Sequence, residues 1–255
     1  MDSRFEVFVG TFNAEKWIVN FIHSLELQTA PPFSVTIVDN FSSDRTLELI
    51  RSTIDRVGLR NKYKVFQNNK NIGSAGSLVN SSDLLSAPWL ISLHQDDYYH
   101  PDHIQTLSDA IGNASDDTAL IFTSMQRMDE VGRETFNIPT LSQNLNKRSR
   151  VENFIMSLQI NPVNFPACAI RRKYLNRRAM NLHYSAFNDT EMILRIISSA
   201  DIKYIPRETM HYRRHPLNAA EITGKVSQDF AVSYGLNELF HSTEFEQLAG
   251  QVVTE

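Results

Sequence analysis

In the stretch "HQDDYYHP" (residues 94–101), two adjacent carboxylates, Asp96 and Asp97, follow directly on the apolar run "WLISL" (residues 89–93). Side by side in a low-dielectric crevice they repel each other, so a compensating group is required. A divalent cation or a hydroxyl-rich ligand would supply it. A polar strand end with both aspartates in water would need neither. Polar clusters of the same kind recur upstream, in "TFN" (11–13), "DNFSSD" (39–44) and "NNKNIGSAG" (68–76). Downstream, "FNDTEMILRI" (187–196) and "YRRHP" (212–216) bring further acids, arginines and a histidine.

The elements that would position these groups alternate in period. "FEVFVGT" (5–11), "FSVTIVD" (33–39), "YKVFQ" (63–67), "WLISL" (89–93) and "ALIFTSM" (119–125) read as strands rich in valine, isoleucine and phenylalanine. Between them, Trp17, Ile18, Phe21, Ile22 and Leu25 share one helical face, with Asn13 as the expected cap and Pro31-Pro32 as the stop. Leu47, Ile50, Ile54 and Val57 mark a second helix opened by "SSD" (42–44), and a third runs through Leu85 after a Gly/Ser-rich turn. Ile104, Leu107 and Ile111 follow Pro101 in helical register. This rhythm predicts an α/β fold: a mostly parallel central sheet with helices on both faces. Such sheets bind ligands at the carboxyl ends of their strands, which is where the polar clusters fall.

Composition narrows the class. The chain has 255 residues, 42% hydrophobic and 21% charged, enough for one large domain or two small ones. A net charge of −4 argues against nucleic acid as the partner. Cys168 is the single cysteine, so neither an intrachain disulfide nor a thiolate zinc site is expected. "MDSRFEVFVG" lacks a basic region followed by an apolar core, and no stretch reaches the roughly 18 apolar residues of a membrane span. The expectation is a cytoplasmic protein. The basic segments "KRSR" (147–150) and "RRKYLNRR" (171–178) add a peripheral contact with an anionic membrane face, or a phosphate-bearing acceptor, as alternatives to a solvated surface.

The motifs, in order, resemble those of the family-two inverting glycosyltransferases, which have the nucleotide-sugar-binding GT-A fold. "VFVGTFNAEKWI" is similar to their opening strand and turn, and "TIVDNFSSDRT" to their V-D-D-x-S-x-D-x-T segment. "NNKNIGSAGSLVN" resembles their N-x-G-x-x-x-A-R-N loop, "LHQDDYYHPDHI" their D-x-D region, and "MDEVG" a turn after the fifth strand. "FNDTEMILRI" and "YRRHP" resemble the segments carrying the catalytic acid and the closing loop.

The resemblance implies a metal-dependent enzyme moving a hexosyl or deoxyhexosyl group, with inversion, from a UDP- or dTDP-sugar to a saccharide or lipid-linked acceptor, in polysaccharide or glycoconjugate biosynthesis. It implies a GT-A domain over 1–217, with a nucleotide-binding half to about 125 and an acceptor half from about 126. Residues 126–164 would include mobile loops, and 218–255 a C-terminal helical extension. Thr11, Asn13, Asp39, Asn71, Gly73 and Asp96 would bind the nucleotide sugar, with the acceptor-only carboxylate of Asp39 taking the N3–H of uracil or thymine. Asp97 and His215 would hold Mn²⁺ or Mg²⁺, whose hard oxygen-seeking chemistry suits a carboxylate and a diphosphate. Asp189 would be the general base, with Glu191 as the substitute; a plain helix start, Asn188 capping and Glu191 as its box partner, is the alternative. Three positions depart from the pattern: His94 stands in place of the first D-x-D acid, Val79 in place of the arginine before Asn80, and Asn188 in place of an acid before Asp189. They leave open a nucleotide-sugar-binding module without catalysis, or a different metal-dependent phosphoryl-group enzyme.

Overall fold

Four parallel strands rich in valine, isoleucine and phenylalanine are Phe5–Thr11 (β1), Ser34–Asp39 (β2), Tyr63–Gln67 (β3) and Trp89–His94 (β4); β1, β2 and β4 are buried on both sides, and the edge strand β3 buries only Tyr63. The computed structural model describes residues 2–30, 33–58, 60–136, 141–159, 163, 165–175, 188–216 and 218. Helices Ile18–Glu26 (α1), Thr46–Val57 (α2) and Gly73–Ser81 (α3) make the crossovers between these strands. Tyr98–Tyr99 (β5), His103–Gly112 (α4), Thr118–Met128 (β6), Glu134–Phe136 (β7), Arg150–Gln159 (α5), Cys168–Arg171 (β8), Asn188–Ser199 (α6) and Asp201–Arg213 (β9) follow.

Among the described residues, the strands form one sheet in the order β3-β2-β1-β4-β8-β6-β9-β5, with β7 paired to β6 off that path. β8 is antiparallel to both of its neighbours, β4 and β6, and β6 is parallel to β9. β6 and β9 therefore point the same way as β1 to β4, and their carboxyl ends reach one edge. Phe5, Val7 and Val9 pack with Ile18, Ile22, Ile50, Ile54 and Leu107, so α1, α2 and α4 cover one face. Phe8 and Val38 pack with Leu78, Phe154, Met192 and Ile197, so α3, α5 and α6 cover the other. The mostly parallel sheet with helices on both faces is the fold that the sequence predicts.

Local differences have local causes. Asn13 does not cap α1, which begins at Ile18 after Trp17 without a side-chain cap. It takes a left-handed φ of 47°, and its Oδ1 accepts the Ser43 amide at 2.9 Å. It thus ties the loop after β1 to the loop after β2. The span expected to be loops carries α5, whose Asn153, Phe154 and Ser157 are buried. Its start is a reciprocal cap: the Ser149 amide donates to Glu152 Oε2 at 2.8 Å, and the Glu152 amide to Ser149 Oγ at 3.3 Å. The expected helical extension, apart from Asn218, lies outside the described residues.

β9 pairs irregularly with β6. Thr123 faces Ile205 while Met125 faces Met210, so β9 is three residues longer than β6 across that stretch. The surplus is a bulged region that re-aims the end of the strand. At the far edge, β5 pairs with β9 through Tyr98 with His211 and Tyr99 with Met210.

His103, at the start of α4, locks this edge. It is fully buried. Its Nδ1 lies 2.7 Å from Thr209 Oγ1, which lies 2.7 Å from Thr123 Oγ1. Burial, aided by His100, pushes its pKa down to about 3 from 6.5. The unfolded imidazole takes a proton near 6.5 and the folded one does not, so this contribution is complete above pH 6.5 and is lost as pH falls toward 3. The denaturant midpoint is expected to fall as pH drops below about 6.5, and His103→Leu to flatten that fall. Urea titrations at several pH values measure both.

Candidate functional site

The polar clusters meet at the carboxyl ends of β1 to β4. Asp39, the last residue of β2, is fully buried. Its Oδ1 accepts Thr11 Oγ1 at 3.2 Å and Ser42 Oγ at 2.5 Å. Its Oδ2 accepts the Ser42 amide at 3.0 Å and Gln67 Nε2 at 3.1 Å. A carboxylate has about four acceptor positions, and four donors are present. Thr11 is buried with it, and Asn13 stands exposed above the tie to Ser43. Asp44 stands at the entry of α2, where its Oδ1 accepts the Thr46 amide at 3.0 Å.

The loop after β3 is built on amides. Asn71 Oδ1 accepts Asn40 Nδ2 at 2.8 Å and the Gly73 amide at 2.9 Å. Asn40 Oδ1 accepts Asn68 Nδ2 at 3.0 Å and the Ile72 amide at 3.1 Å. Gly73 opens α3 at φ 76°, a left-handed conformation that costs glycine little. Asn71 and Gly73 are thereby fixed beside the β2 end, two residues apart.

The acid turn follows β4. Tyr99, almost fully buried, accepts the His94 amide on its hydroxyl at 2.8 Å and so folds the turn back over the strand end. The Arg213 amide donates to Asp97 Oδ1 at 2.9 Å. The Arg213 side chain donates from Nε to the Asp96 carbonyl and from Nη1 to the Glu130 carbonyl, each at 2.9 Å, and lies 4.7 Å over the Trp17 ring. Asp96 Oδ2 lies 2.9 Å from His215 Nε2 and accepts Asn218 Nδ2 at 3.3 Å. A cavity of about 310 Å³ borders this turn, lined by Trp17, Asn20, Gln95, Asp97 and Glu130 among others.

Asp97 Oδ2 is buried and has no hydrogen-bond partner among the described residues. Burial, then the neighbouring charge of Asp96, holds the Asp97 carboxyl well above the ordinary 3.8. Burial alone would raise Asp96 too, but the His215 bond and the charges of His94 and His215 bring it below 3.8. Burial keeps His94 below 6.5 against the pull of Asp96 and Asp189, which favours the neutral, metal-ligating imidazole. One ligand atom each from His94, Asp96 and Asp97 lie within 4.8 Å of one another. An orphaned buried carboxylate oxygen beside a neutral imidazole fits a small divalent cation. His215 is not in that trio; it faces Asp96.

Asp189 lies in the first turn of α6, half-buried, with Oδ1 accepting the Thr190 amide at 2.8 Å. Burial raises its carboxyl above 3.8, and its charge acts on His94, which links it to the acid turn. Glu191 is buried and engaged: its Oε1 accepts Arg195 Nε at 3.0 Å and Nη2 at 2.7 Å. That carboxylate is therefore not a free base. Sequence reasoning missed Gln67, Tyr99 and Trp17. Gln67 had a signal, since it ends β3 in register with Asp39 at the end of β2.

The profile of Glycosyl transferase family 2 matches residues 6–179. The poly(ribitol-phosphate) beta-N-acetylglucosaminyltransferase TarS of Staphylococcus aureus is 29% identical over 121 residues, 46% of this chain and 20% of TarS. The matched region thus spans about a fifth of that relative's length. S. aureus TarS 1–349 in complex with UDP-GlcNAc has a TM-score of 0.68 at 18% identity, covering 94% of this chain and 67% of that one. The mannosyltransferase PcManGT from Pyrobaculum calidifontis, in complex with GDP-Man and Mn²⁺, also has a TM-score of 0.68, at 12% identity over 94% of this chain and 64% of that one. At these identities the two structures establish a shared fold.

The saturation of Asp39 has a measurable consequence. Asp39→Ala strands buried donors and is expected to cost about 2–4 kcal/mol, whereas Asp39→Asn keeps one accepting oxygen and costs about 1 kcal/mol. Chemical denaturation of both variants reads the difference.

Proposed function

Because the chain belongs to Glycosyl transferase family 2, we propose that it transfers a hexosyl or deoxyhexosyl group from a UDP- or dTDP-sugar to a saccharide or lipid-linked acceptor, with inversion, in polysaccharide or glycoconjugate assembly. The observation that carries this reading is the unpartnered Asp97 oxygen beside His94 and Asp96 at the end of β4, with the charge of Asp189, in the first turn of α6, acting on His94. TarS is named for adding N-acetylglucosamine to poly(ribitol-phosphate) and was solved with UDP-GlcNAc, which favours a UDP-sugar and a polymeric acceptor here. No helix among the described residues is long and apolar enough to cross a membrane. A lipid-linked acceptor would therefore be met at a membrane face, through basic residues such as Arg172 and Lys173.

In this reading Asp39 takes the imide N–H of the base, with Thr11 and Asn13 shaping its corner. The backbone at Asn71 and Gly73 lets the nucleotide approach closely. Asp96, already a hydrogen-bond acceptor for His215 and Asn218, exchanges those donors for ribose or sugar hydroxyls. Asp97 would hold Mn²⁺ or Mg²⁺, with His94 within reach and His215 joining only by releasing Asp96. A bound cation supplies charge compensation for the departing diphosphate. Asp189 removes the acceptor's hydroxyl proton as that oxygen attacks the anomeric carbon from the face opposite the diphosphate. One base and one displacement give inversion without a covalent intermediate. The donor-binding half is assigned to about residues 1–125 and the acceptor half to 126–217.

Two experiments test the assignment. Asp97→Ala should abolish the thermal stabilisation that UDP with Mn²⁺ gives the wild type. Equal stabilisation with and without chelator in the wild type would remove the cation from the account. Asp189→Asn should lower transfer, or hydrolysis of the donor to free sugar and nucleoside diphosphate, by roughly 10²–10⁴-fold while UDP still binds. Catalysis needs the ionised carboxylate, and burial raises its pKa. Turnover should therefore fall as pH drops through a value above the ordinary aspartate range, and that limb should vanish in Asp189→Asn. A donor left intact by the wild type would point to a binding module; cleavage between the phosphates would point to phosphoryl-group chemistry.

A further inference from the structure

The Asp39 carboxylate poses a problem for any nucleobase that is to reach it. It is fully buried, and each of its oxygens already accepts two donors. An incoming N–H can be accepted only if one of those donors leaves. The four are not equally free. Ser42 contributes its backbone amide, and its hydroxyl is also held by the Asn13 amide at 2.9 Å. Thr11 is buried. Gln67 is exposed, sits on the edge strand β3, and reaches Asp39 through a flexible side chain whose one hydrogen bond among the described residues is that at 3.1 Å.

We infer that Gln67 is a specificity-determining residue: it yields Asp39 Oδ2 to the imide N–H of a uracil or thymine base and then donates its own carboxamide N–H to the adjacent 4-carbonyl. This rests on the reading of Asp39 as the base contact and adds the second half of the base's hydrogen-bonding edge. The pairing in register of Asp39 with Gln67 puts both side chains on the same face of neighbouring strands. A displaced Gln67 amide therefore stays beside the group it has released. In the free protein the same amide fills the acceptor position that the base will use, so the corner stays satisfied in both states. Asp39 alone distinguishes an N–H from a bare ring nitrogen. Gln67 favours the 4-carbonyl because its Nε2 already faces that corner, whereas a 4-amino group would require the carboxamide to turn over and present Oε1.

The test uses the full chain with Mn²⁺ and titrates UDP and CDP by calorimetry into wild type, Gln67→Met and Gln67→Glu, with thermal unfolding to confirm that each is folded. Gln67→Met keeps the length without the amide: it loses the bond to the 4-carbonyl but has no bond to Asp39 to give up, so UDP affinity should move little while the UDP:CDP affinity ratio falls about threefold to tenfold, the worth of one hydrogen bond. Gln67→Glu presents only acceptors, so the UDP:CDP affinity ratio should fall further, toward CDP. If the UDP:CDP ratio in both variants stays within about twofold of wild type, Gln67 reads nothing and the inference is overturned while the glycosyltransferase reading stands. If wild type binds neither nucleotide, that reading fails and this inference with it.

Discussion

Arg213 is where the site is won or lost, because it closes a turn that electrostatics would otherwise open. Two adjacent aspartates at a buried strand end repel, yet Arg213 does not answer them with a salt bridge. Its backbone amide bonds Asp97 Oδ1, and its guanidinium is directed at the carbonyls of Asp96 and Glu130 while lying over Trp17. The cation thus fixes the backbone of the turn and of the neighbouring hairpin, and burial still dominates at the Asp97 carboxyl. His215 and Asn218, just beyond, engage Asp96. The two acids are thereby made unequal: one bonded and lowered, the other orphaned and raised. Divergent environments for like groups are a common physical route to distinct chemical roles.

The corner at Asp39 follows an opposite logic. There the carboxylate is saturated, and its neighbours are ordered by it: the end of β1, the loop after β2 and the end of β3 are all joined through one side chain. Asn13 repeats the join a few residues further out. Phe41, at φ 66° and about half exposed (52%), is the bulky residue forced into a left-handed conformation by these ties. A rigid polar floor and a strained rim are what a ligand crevice between strand ends requires, and both trace to short-range hydrogen bonds rather than to the core.

Much of this was legible in the sequence, and the limits have physical reasons. β1, β2, β4 and α2 carry their patterns openly because those strands are buried on both faces and that helix on one, while the edge strand β3 shows as a short valine and aromatic run. The ligand-binding edge followed from where Thr11, Asp39, Asn71 and Asp96 fell along that pattern, and the acid turn from Asp96 and Asp97 themselves. What escaped was long-range. β8 is four residues long, and nothing in "CAIR" says that it lies antiparallel between β4 and β6. Glu191 reads as a helix-start residue, and only the fold shows it paired one turn further on with Arg195. Asn13 has the chemistry of a cap, and a tie to a neighbouring loop used that chemistry elsewhere. His94 reads as a departure from a pattern; only the folded turn brings it within ligand distance of both aspartates.

The surplus residues in β9 have a consequence for how this architecture can change. Arg213 reaches the acid turn because the strand is longer than β6 between Ile205 and Met210. The strand acts as a ruler whose length, more than any single contact, sets where its last residue arrives. Side chains alternate in a strand, so removing one residue from that stretch would turn Arg213 away from Trp17 and present Arg214 in its place. Losses in pairs would preserve the facing but fall short of the turn. Insertions and deletions in the bulge are thus coupled to the chemistry at the opposite end of the strand, although no residue of the bulge touches it. Variation among relatives should spare the count there even where it changes the letters.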